Sequence, residues 1–261
     1  MATDLLVARQ DAVATLSLNR PDSKNALTRE LSAALRQAVE AADADASVRV
    51  VVLRGEGGAF CSGADLKGAF RELAAGAEFA TFIDELHGLI RAIARSEKPV
   101  IAAVEGPAVG FGADLALACD LRVLSEAAYL QEKFISIGLM PDGGGTFALP
   151  ALVGPGRALE YLMLGTRLDA ARALELGLAN RVVPSAELEA ETLRLAAQLA
   201  EGPPLALRAV KRSLRAALAG GGLDAALDRE KAGQLALLAS EDVREGVAAW
   251  LERRPARFKG K

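Results

Sequence analysis

The chain has 261 residues, of which 51% are hydrophobic and 25% are charged, and its formal net charge is −3. This length allows one large domain, or a domain with an appendage, with a substantial buried core. The slight negative charge disfavours nonspecific nucleic-acid binding, and the N-terminal sequence MATDLLVARQ predicts neither a signal peptide nor a membrane anchor, so we expect a cytoplasmic protein.

Strands and helices alternate over the first part of the chain. Residues 12–18 alternate between apolar and polar, which is typical of a half-buried strand. Continuous apolar runs predict three more strands, and apolar residues at helical spacing predict the helices between them. The further strands are expected at 48–53, 99–104 and 121–124, and the helices at 27–42, at 78–95 and directly after Gly112. This alternation predicts an α/β layered core.

From about Leu168 onward, helical patterns dominate. Helices are expected at 170–176, 186–199, 205–218, 223–239 and 242–250. Glycine and proline clusters at 202–204 and 220–222 separate the last of them. We therefore divide the chain into an α/β core, residues 1–200, and a C-terminal helical subdomain, residues 201–261.

The segment AAVEGPAVGFGADLALACD, residues 102–120, is the first candidate for chemistry. A buried strand ends in a turn in which Gly110 and Gly112 flank Phe111, and an apolar helix follows. The glycines allow backbone conformations that other residues avoid, so the Phe111 N–H can point at a ligand. A backbone N–H at a helix start is a donor suited to an oxyanion.

Two other turns could contribute to the same site. In FCSGADL, residues 60–66, Gly63 allows a bend that leaves the N–H of Ala64 available, although such strand-to-helix turns are common. In GLMPDGGGT, residues 138–146, Asp142 is a plausible helix N-cap, while the three glycines suggest close approach of a ligand or of another backbone.

Several reactive residue types are interpreted as structural. His87 is the only histidine and lies on the apolar face of its predicted helix, so we expect it to be partly buried and hydrogen-bonded. Cys61 and Cys119 lack metal-ligand spacing and are expected to be buried, reduced thiols. For Asp114, in the first turn after Gly112, a structural role at the helix N-terminus and a functional role are equally plausible.

Together these segments resemble the crotonase family, the enoyl-CoA hydratase/isomerase superfamily, over nearly the whole chain. The resemblance is carried by LSLNRP with KNAL, residues 16–21 and 24–27, by SGADL at 62–66, by KPVIAAV at 98–104, by the glycine-flanked turn and by RRPARF at 253–258. It implies a core of ββα units that form a spiral, with C-terminal helices used to assemble a homotrimer or a dimer of trimers.

The resemblance also implies a substrate and a site. The substrate would be an acyl-CoA thioester, and the reaction would need no metal or redox cofactor. Coenzyme A would be part of the substrate and not a separate cofactor. The N–H groups of Ala64 and Phe111 resemble the two oxyanion-hole donors. The residues that resemble the family's CoA-binding and substrate-binding positions are Lys24, Asn25, Ala26, Ser62, Asp65 and Leu66, with Lys259 as a phosphate contact from the tail.

The residues at the two carboxylate positions do not match those required for the hydration chemistry typical of the family. Hydratases hold a water between two glutamates; this chain has Asp114 at the first position and Phe134, in the substrate pocket, at the second. A phenyl ring cannot accept a proton or position water. Glu132 lies two residues earlier and, in a strand, would be displaced along the pocket.

Asp142 favours a different reaction. The resemblance implies that members with an aspartate there shift double bonds or carry out related enolate chemistry. One carboxylate can move a proton from one carbon to another. We therefore expect an enoyl-CoA isomerase of fatty-acid or aromatic-acid degradation, with Asp142 as the base and Asp114 as a second acid/base or positioning group. The alternatives are a hydratase that uses a different carboxylate pair and a noncatalytic acyl-CoA-binding protein.

Overall fold

A six-stranded sheet lies at the centre of the structure, a computed structural model that describes residues 3–74 and 79–261. In spatial order its strands are β1 (Leu5–Gln10), β2 (Val13–Leu18), β3 (Val50–Gly55), β4 (Val100–Val104), β6 (Leu121–Ser125) and β9 (Arg181–Val183). The β1–β2 pair is antiparallel and all other neighbours are parallel.

The strands of a second sheet alternate along the chain with strands of the first. It consists of β5 (Pro107–Val109), β7 (Tyr129–Gln131) and β8 (Leu168–Asp169), with β5 and β7 parallel and β7 and β8 antiparallel. Each long strand β4 and β6 therefore leads into a short strand of this sheet. After β3 an isolated bridge between Cys61 and Ala108 takes the same place. The predicted α/β spiral of ββα units is confirmed.

Helices follow these strand pairs and cover the sheets. They are α1 (Arg29–Ala44), α2 (Leu66–Ala74), α3 (Phe79–Arg95), α4 (Phe111–Ala118), α5 (Gly145–Val153), α6 (Pro155–Leu164), α7 (Ala170–Glu175), α8 (Leu188–Ala200), α9 (Pro204–Leu218), α10 (Gly222–Leu238) and α11 (Glu241–Glu252). The strands and helices expected from periodicity are present with end shifts of one to a few residues, except that Glu78, the expected start of α3, lies outside the described residues.

The central strands are buried on both faces. One face packs with α1, α3 and α4 in the larger core, and the other packs Val50, Val52 and Ile101 against Leu195 and Ala196 of α8. This explains why their sequences are continuously apolar instead of alternating. Cys61 and Cys119 are free thiols within the larger core, as predicted, and burial raises the pKa of each to about 12.

The C-terminal helices differ from the rest in their burial. None of the residues of α9 and α10 is buried, and the buried residues of α11 are Asp242 and Ala249. Among the described residues, no helix is long and apolar enough to cross a membrane.

Candidate active site

Two turns, one around Gly63 and the other around Gly110, are held together by backbone hydrogen bonds. The N–H groups of Phe60 and Cys61 donate to the Pro107 carbonyl at 3.1 Å, and the Val109 N–H donates to the Cys61 carbonyl at 2.9 Å. A β-carbon on Gly112 would lie 2.1 Å from the Cys61 oxygen. Since real side chains cannot approach backbone so closely, glycine is needed for the turns to meet.

The N–H groups of Ala64 and Phe111 lie at this junction. The Phe111 nitrogen is 3.5 Å from the position that a β-carbon on Gly63 would take, so it lies next to the turn that carries Ala64. Phe111 is the first residue of α4, and neither N–H donates to any group in the described part of the chain. The structure thus brings together two unpaired backbone donors, one of them at the positive end of a helix dipole.

Asp114 lies in the first turn of α4, beside the loop that precedes α5. It is 1% exposed, and its Oδ2 accepts a hydrogen bond from the Gly143 N–H at 2.9 Å. Burial raises the pKa of the Asp114 carboxyl to about 7, and the neighbouring charge of Asp142 adds to the increase. Asp114 can therefore change its protonation state near neutral pH.

Asp142 does not cap a helix, so the capping alternative is wrong. Helix α5 begins at Gly145, and its N-cap is Gly144, in the left-handed conformation. Because the glycines delay the helix, the Asp142 side chain stays free of the helix end, and its Oδ1 is buried without a hydrogen-bond partner among the described residues. Burial raises the pKa of Asp142.

His87 holds the loop that carries Asp142. Its Nε2 lies 2.8 Å from the Asp142 carbonyl oxygen, so a hydrogen on Nε2 is donated to that oxygen. The prediction of a partly buried, hydrogen-bonded histidine is confirmed. The bond also places the imidazole where it lowers the pKa of Asp142, against the larger effect of burial.

Phe134 lies against the glycine-flanked turn. It begins a short 3-10 helix, Phe134–Ile137, and its ring is 3.7 Å from the position that a β-carbon on Gly110 would take. A phenyl ring, and not a carboxylate, therefore lies beside Gly110, the residue before Phe111.

Glu132 is the site residue that sequence reasoning missed. A β-carbon on Gly145 would lie 2.4 Å from Asp114 Oδ1 and 3.1 Å from Glu132 Oε1, so the two carboxyls converge on the same glycine. The expectation that Glu132 is displaced along the pocket assumed one continuous strand. Strand β7 ends at Gln131 and a 3-10 helix begins at Phe134, so the strand alternation does not extend to Glu132.

The residues that resemble the CoA-binding positions lie next to the Gly63 turn, and backbone hydrogen bonds connect the two segments. Lys24 is exposed, and both Lys24 and Asn25 have positive φ. The backbone carbonyl of Lys24 accepts from the Ser62 N–H at 2.9 Å, and the Ser62 hydroxyl donates to Ser23 at 2.9 Å. Leu27, directly after Ala26, bridges to Ala64, which links this segment to the donor turn.

Asn25 and Asp65 have structural partners. The Asn25 side chain is fully buried; it accepts from the Arg20 N–H and donates to the carbonyls of Glu56 and Ala59 at 2.7–2.9 Å. Asp65 accepts from the Gly68 N–H at the start of α2, next to Leu66, and pairs with Arg20 at 3.2 Å. The Gly68 hydrogen bond is the main cause that lowers the pKa of Asp65.

Lys259 lies on the tail that follows α11. Its backbone N–H donates to Asp242 Oδ1 at 2.6 Å, and its side chain is exposed. This hydrogen bond is to α11 and not to either of the two turns, so the role of Lys259 as a phosphate contact stays a prediction.

Comparison with known proteins identifies the protein family to which the chain belongs. Residues 8–261 match the model of the enoyl-CoA hydratase/isomerase family. The chain belongs to this family.

Among its relatives are two Escherichia coli proteins with different activities in their names. The chain is 38% identical to 2,3-dehydroadipyl-CoA hydratase over 99% of this chain and 100% of the relative, and 35% identical to 1,2-epoxyphenylacetyl-CoA isomerase over 97% of each. The solved structure of an enoyl-CoA hydratase from Bacillus anthracis is 33% identical, covers 99% of this chain and 100% of its own, and superposes with a TM-score of 0.93.

Proposed function

We propose that this chain is an enoyl-CoA isomerase, which shifts a carbon–carbon double bond in an acyl-CoA thioester through an enolate. The observation that carries the proposal concerns the groups near the two N–H donors. Phe134 stands where hydratases of the family have their second glutamate, and Asp142 provides a carboxylate from a different loop. The Phe134 ring lies against Gly110, and the Asp142 carboxyl, close enough to Asp114 for its charge to raise the pKa of Asp114, has a buried oxygen with no partner among the described residues.

The proposed reaction begins with the thioester oxygen accepting from the N–H groups of Ala64 and Phe111. Asp142, in its ionised form, takes a proton from carbon 2 of a 3-enoyl-CoA, and the electrons of that C–H bond form a conjugated enolate. As the double bond between carbons 2 and 3 forms, the same proton is returned to carbon 4. Each backbone donor would stabilise the enolate-like transition state by about 3 kcal/mol.

The local environment supports Asp142 as the group that carries the proton. Burial raises its pKa, which brings a carboxylate closer to the range useful for removing a proton from carbon. Asp142 is less deeply buried than Asp114, which is hydrogen-bonded to Gly143. We therefore assign Asp114 the role of second acid/base or positioning group.

Hydration of a 2-enoyl-CoA is the second candidate. Asp114 and Asp142 lie close enough for the charge of one to raise the pKa of the other, and two neighbouring carboxyls can hold a water. Hydratase is also the activity in the names of most of the relatives. The hydratase proposal requires this different pair, because Phe134 has no proton-accepting group.

One experiment separates these reactions and simple binding. The protein is incubated in deuterated water with matched 2-enoyl-CoA and 3-enoyl-CoA thioesters, and the products are separated by liquid chromatography before mass spectrometry, because the two positional isomers have the same mass. Isomerisation changes the double-bond position without adding mass as water, hydration adds water, and binding alone leaves the thioester unchanged. Asp142→Asn should abolish isomerisation, with Asp84→Asn, at an exposed position of α3, as the matched control.

The C-terminal helices are proposed to join three copies of the chain into a homotrimer, or a dimer of trimers. They expose an unusual number of large apolar side chains: Val210, Leu214, Leu218, Leu223, Leu227, Leu235, Leu238, Val247, Trp250 and Leu251. Large exposed apolar surfaces of this kind are typical of protein interfaces. The mass in solution, measured by light scattering, should be three or six times that of one chain, and a monomer would contradict the proposal.

A further inference from the structure

We propose that Glu132 carries a proton and donates it in a hydrogen bond to Asp114, as a positioning residue that allows Asp114 to hold its negative charge. The proposal rests on the proposed function only for placing Asp114 beside the substrate. It is independent of whether the reaction is isomerisation or hydration.

The two carboxyls are deeply buried and face the same backbone position. Glu132 is 5% exposed and Asp114 is 1% exposed. They come from different segments, Glu132 from the residues directly after β7 and Asp114 from α4, and they converge beside Gly145. A side chain at position 145 would enter the space that the Asp114 Oδ1 occupies, so the glycine is part of this arrangement.

Only one of the four carboxyl oxygens of this pair has a hydrogen-bond partner among the described residues. Asp114 Oδ2 accepts from Gly143, whereas Asp114 Oδ1 and both oxygens of Glu132 have no partner among the described residues. An ionised carboxylate only accepts hydrogen bonds, so two ionised carboxyls would leave three buried acceptors unsatisfied. A proton on Glu132 supplies a donor, and Asp114 Oδ1 is the unpartnered acceptor beside it.

The surrounding charges favour this assignment of the proton. The charged groups that act on Glu132 are Asp114, from α4, and Asp142, from the loop before α5, and both are negative. Burial and these two carboxylates raise the pKa of Glu132 well above its ordinary value. Asp114, by contrast, accepts from the Gly143 N–H, which lowers its pKa against the effect of burial, and the proposed hydrogen bond from Glu132 would lower it further. As the pH rises, Asp114 therefore ionises before Glu132.

Two substitutions separate the donor role from simple filling of space. Glu132→Gln keeps a donor, since its amide can bond to Asp114, whereas Glu132→Leu removes the donor and leaves Asp114 Oδ1 unpaired. We expect Glu132→Gln to retain turnover within about threefold. Glu132→Leu should shift the acidic limb of the pH–rate profile upward by about one unit, which corresponds to about a tenfold loss below that pKa. An unshifted profile for Glu132→Leu, or loss of turnover in Glu132→Gln, would overturn the proposal.

Infrared spectroscopy of the unliganded protein provides a readout that does not depend on the reaction. At pH 8 the wild type should show the stretching band of a protonated carboxyl, and Glu132→Gln should lack it. Glu160→Gln, at an exposed position of α6, is the matched control and should retain the band. Absence of the band in the wild type, or its persistence in Glu132→Gln, would overturn the proposal. If isomerisation is not observed but the band behaves as expected, only the proposed function fails.

Discussion

The Gly143 N–H donates to Asp114 Oδ2 at 2.9 Å, and this hydrogen bond joins the loop that carries Asp142 to the first turn of α4. The three turns of the site are therefore connected by hydrogen bonds. The Gly63 and Gly110 turns share hydrogen bonds through Pro107 and Cys61, and Gly143 connects the third turn through a side chain. A change at Gly143 should affect both carboxylates together.

Gly143→Ala tests this connection. A β-carbon at Gly143 would lie 2.5 Å from the Asp114 β-carbon and 2.7 Å from its Oδ2, so the loop must move away from α4. Turnover should fall by at least about tenfold, because small displacements of reacting groups are costly to catalysis. Gly156→Ala in α6, where an added β-carbon meets nothing within 4 Å, is the control in the same kinetic assay. Equal turnover of the two variants would show that the loop position does not matter.

His87→Phe should change the pH dependence of the reaction. The imidazole lowers the pKa of Asp142, so its removal should raise that pKa further above the ordinary carboxyl range. A base with a higher pKa ionises at higher pH, and the acidic limb of kcat/KM should move upward. His87→Gln retains an N–H donor for the Asp142 carbonyl and therefore tests whether the position of the loop alone explains the shift of the acidic limb. A wild-type profile in His87→Phe would contradict the assignment of Asp142 as the base.

Asp114→Asn should alter the dependence of stability on pH. The folded-state pKa of Asp114, about 7, lies above its ordinary value of 3.8, so the folded protein holds a proton that the unfolded chain releases. The resulting stability is fully present below about pH 4 and is lost as the pH rises towards 7, by up to about 1.4 kcal/mol per pH unit.

The free energy of unfolding, measured by urea denaturation at a series of pH values, should therefore fall less steeply for Asp114→Asn than for the wild type. Asp84→Asn, at an exposed position, should follow the wild type. Parallel curves for Asp114→Asn and the wild type would exclude the raised pKa.

Asn25 and Lys24 should have separable effects. Asn25→Ala removes three hydrogen bonds of a fully buried side chain and should lower the free energy of unfolding by about 2–4 kcal/mol. Lys24→Ala, at an exposed position, should leave stability within about 0.5 kcal/mol and raise the KM for the CoA thioester. Denaturation and steady-state kinetics on both variants check the pair; a stability loss in Lys24→Ala would remove the case for a binding role.

The parts of the site that are local in sequence could be predicted. Gly110 and Gly112 flank Phe111, and the positive φ of Gly110 is a property of that turn alone. The parallel strands were predictable because they are continuously apolar. Their order in the sheet depends on contacts between distant segments and could not be read from periodicity.

Other features depended on contacts that the sequence pattern does not show. Helix α6 was not predicted, and α5 was expected only as a helix that Asp142 would cap, because Pro150 lies inside α5 and glycines border both helices. The pairing of Glu132 with Asp114 was missed for a different reason: it depends on where a strand changes to a 3-10 helix. The buried oxygens of Glu132, which have no hydrogen-bond partner in the described part of the chain, become apparent only when its surroundings are known.

The assignment of this chain as an isomerase with Asp142 as the base is tested most directly by the products formed from two matched thioesters in deuterated water. For a 3-enoyl-CoA, we predict conversion to the 2-enoyl-CoA by the wild type, loss of that conversion in Asp142→Asn, and little addition of water to the 2-enoyl-CoA. Rapid hydration of the 2-enoyl-CoA, with isomerisation that is slower or unaffected by Asp142→Asn, would contradict the assignment.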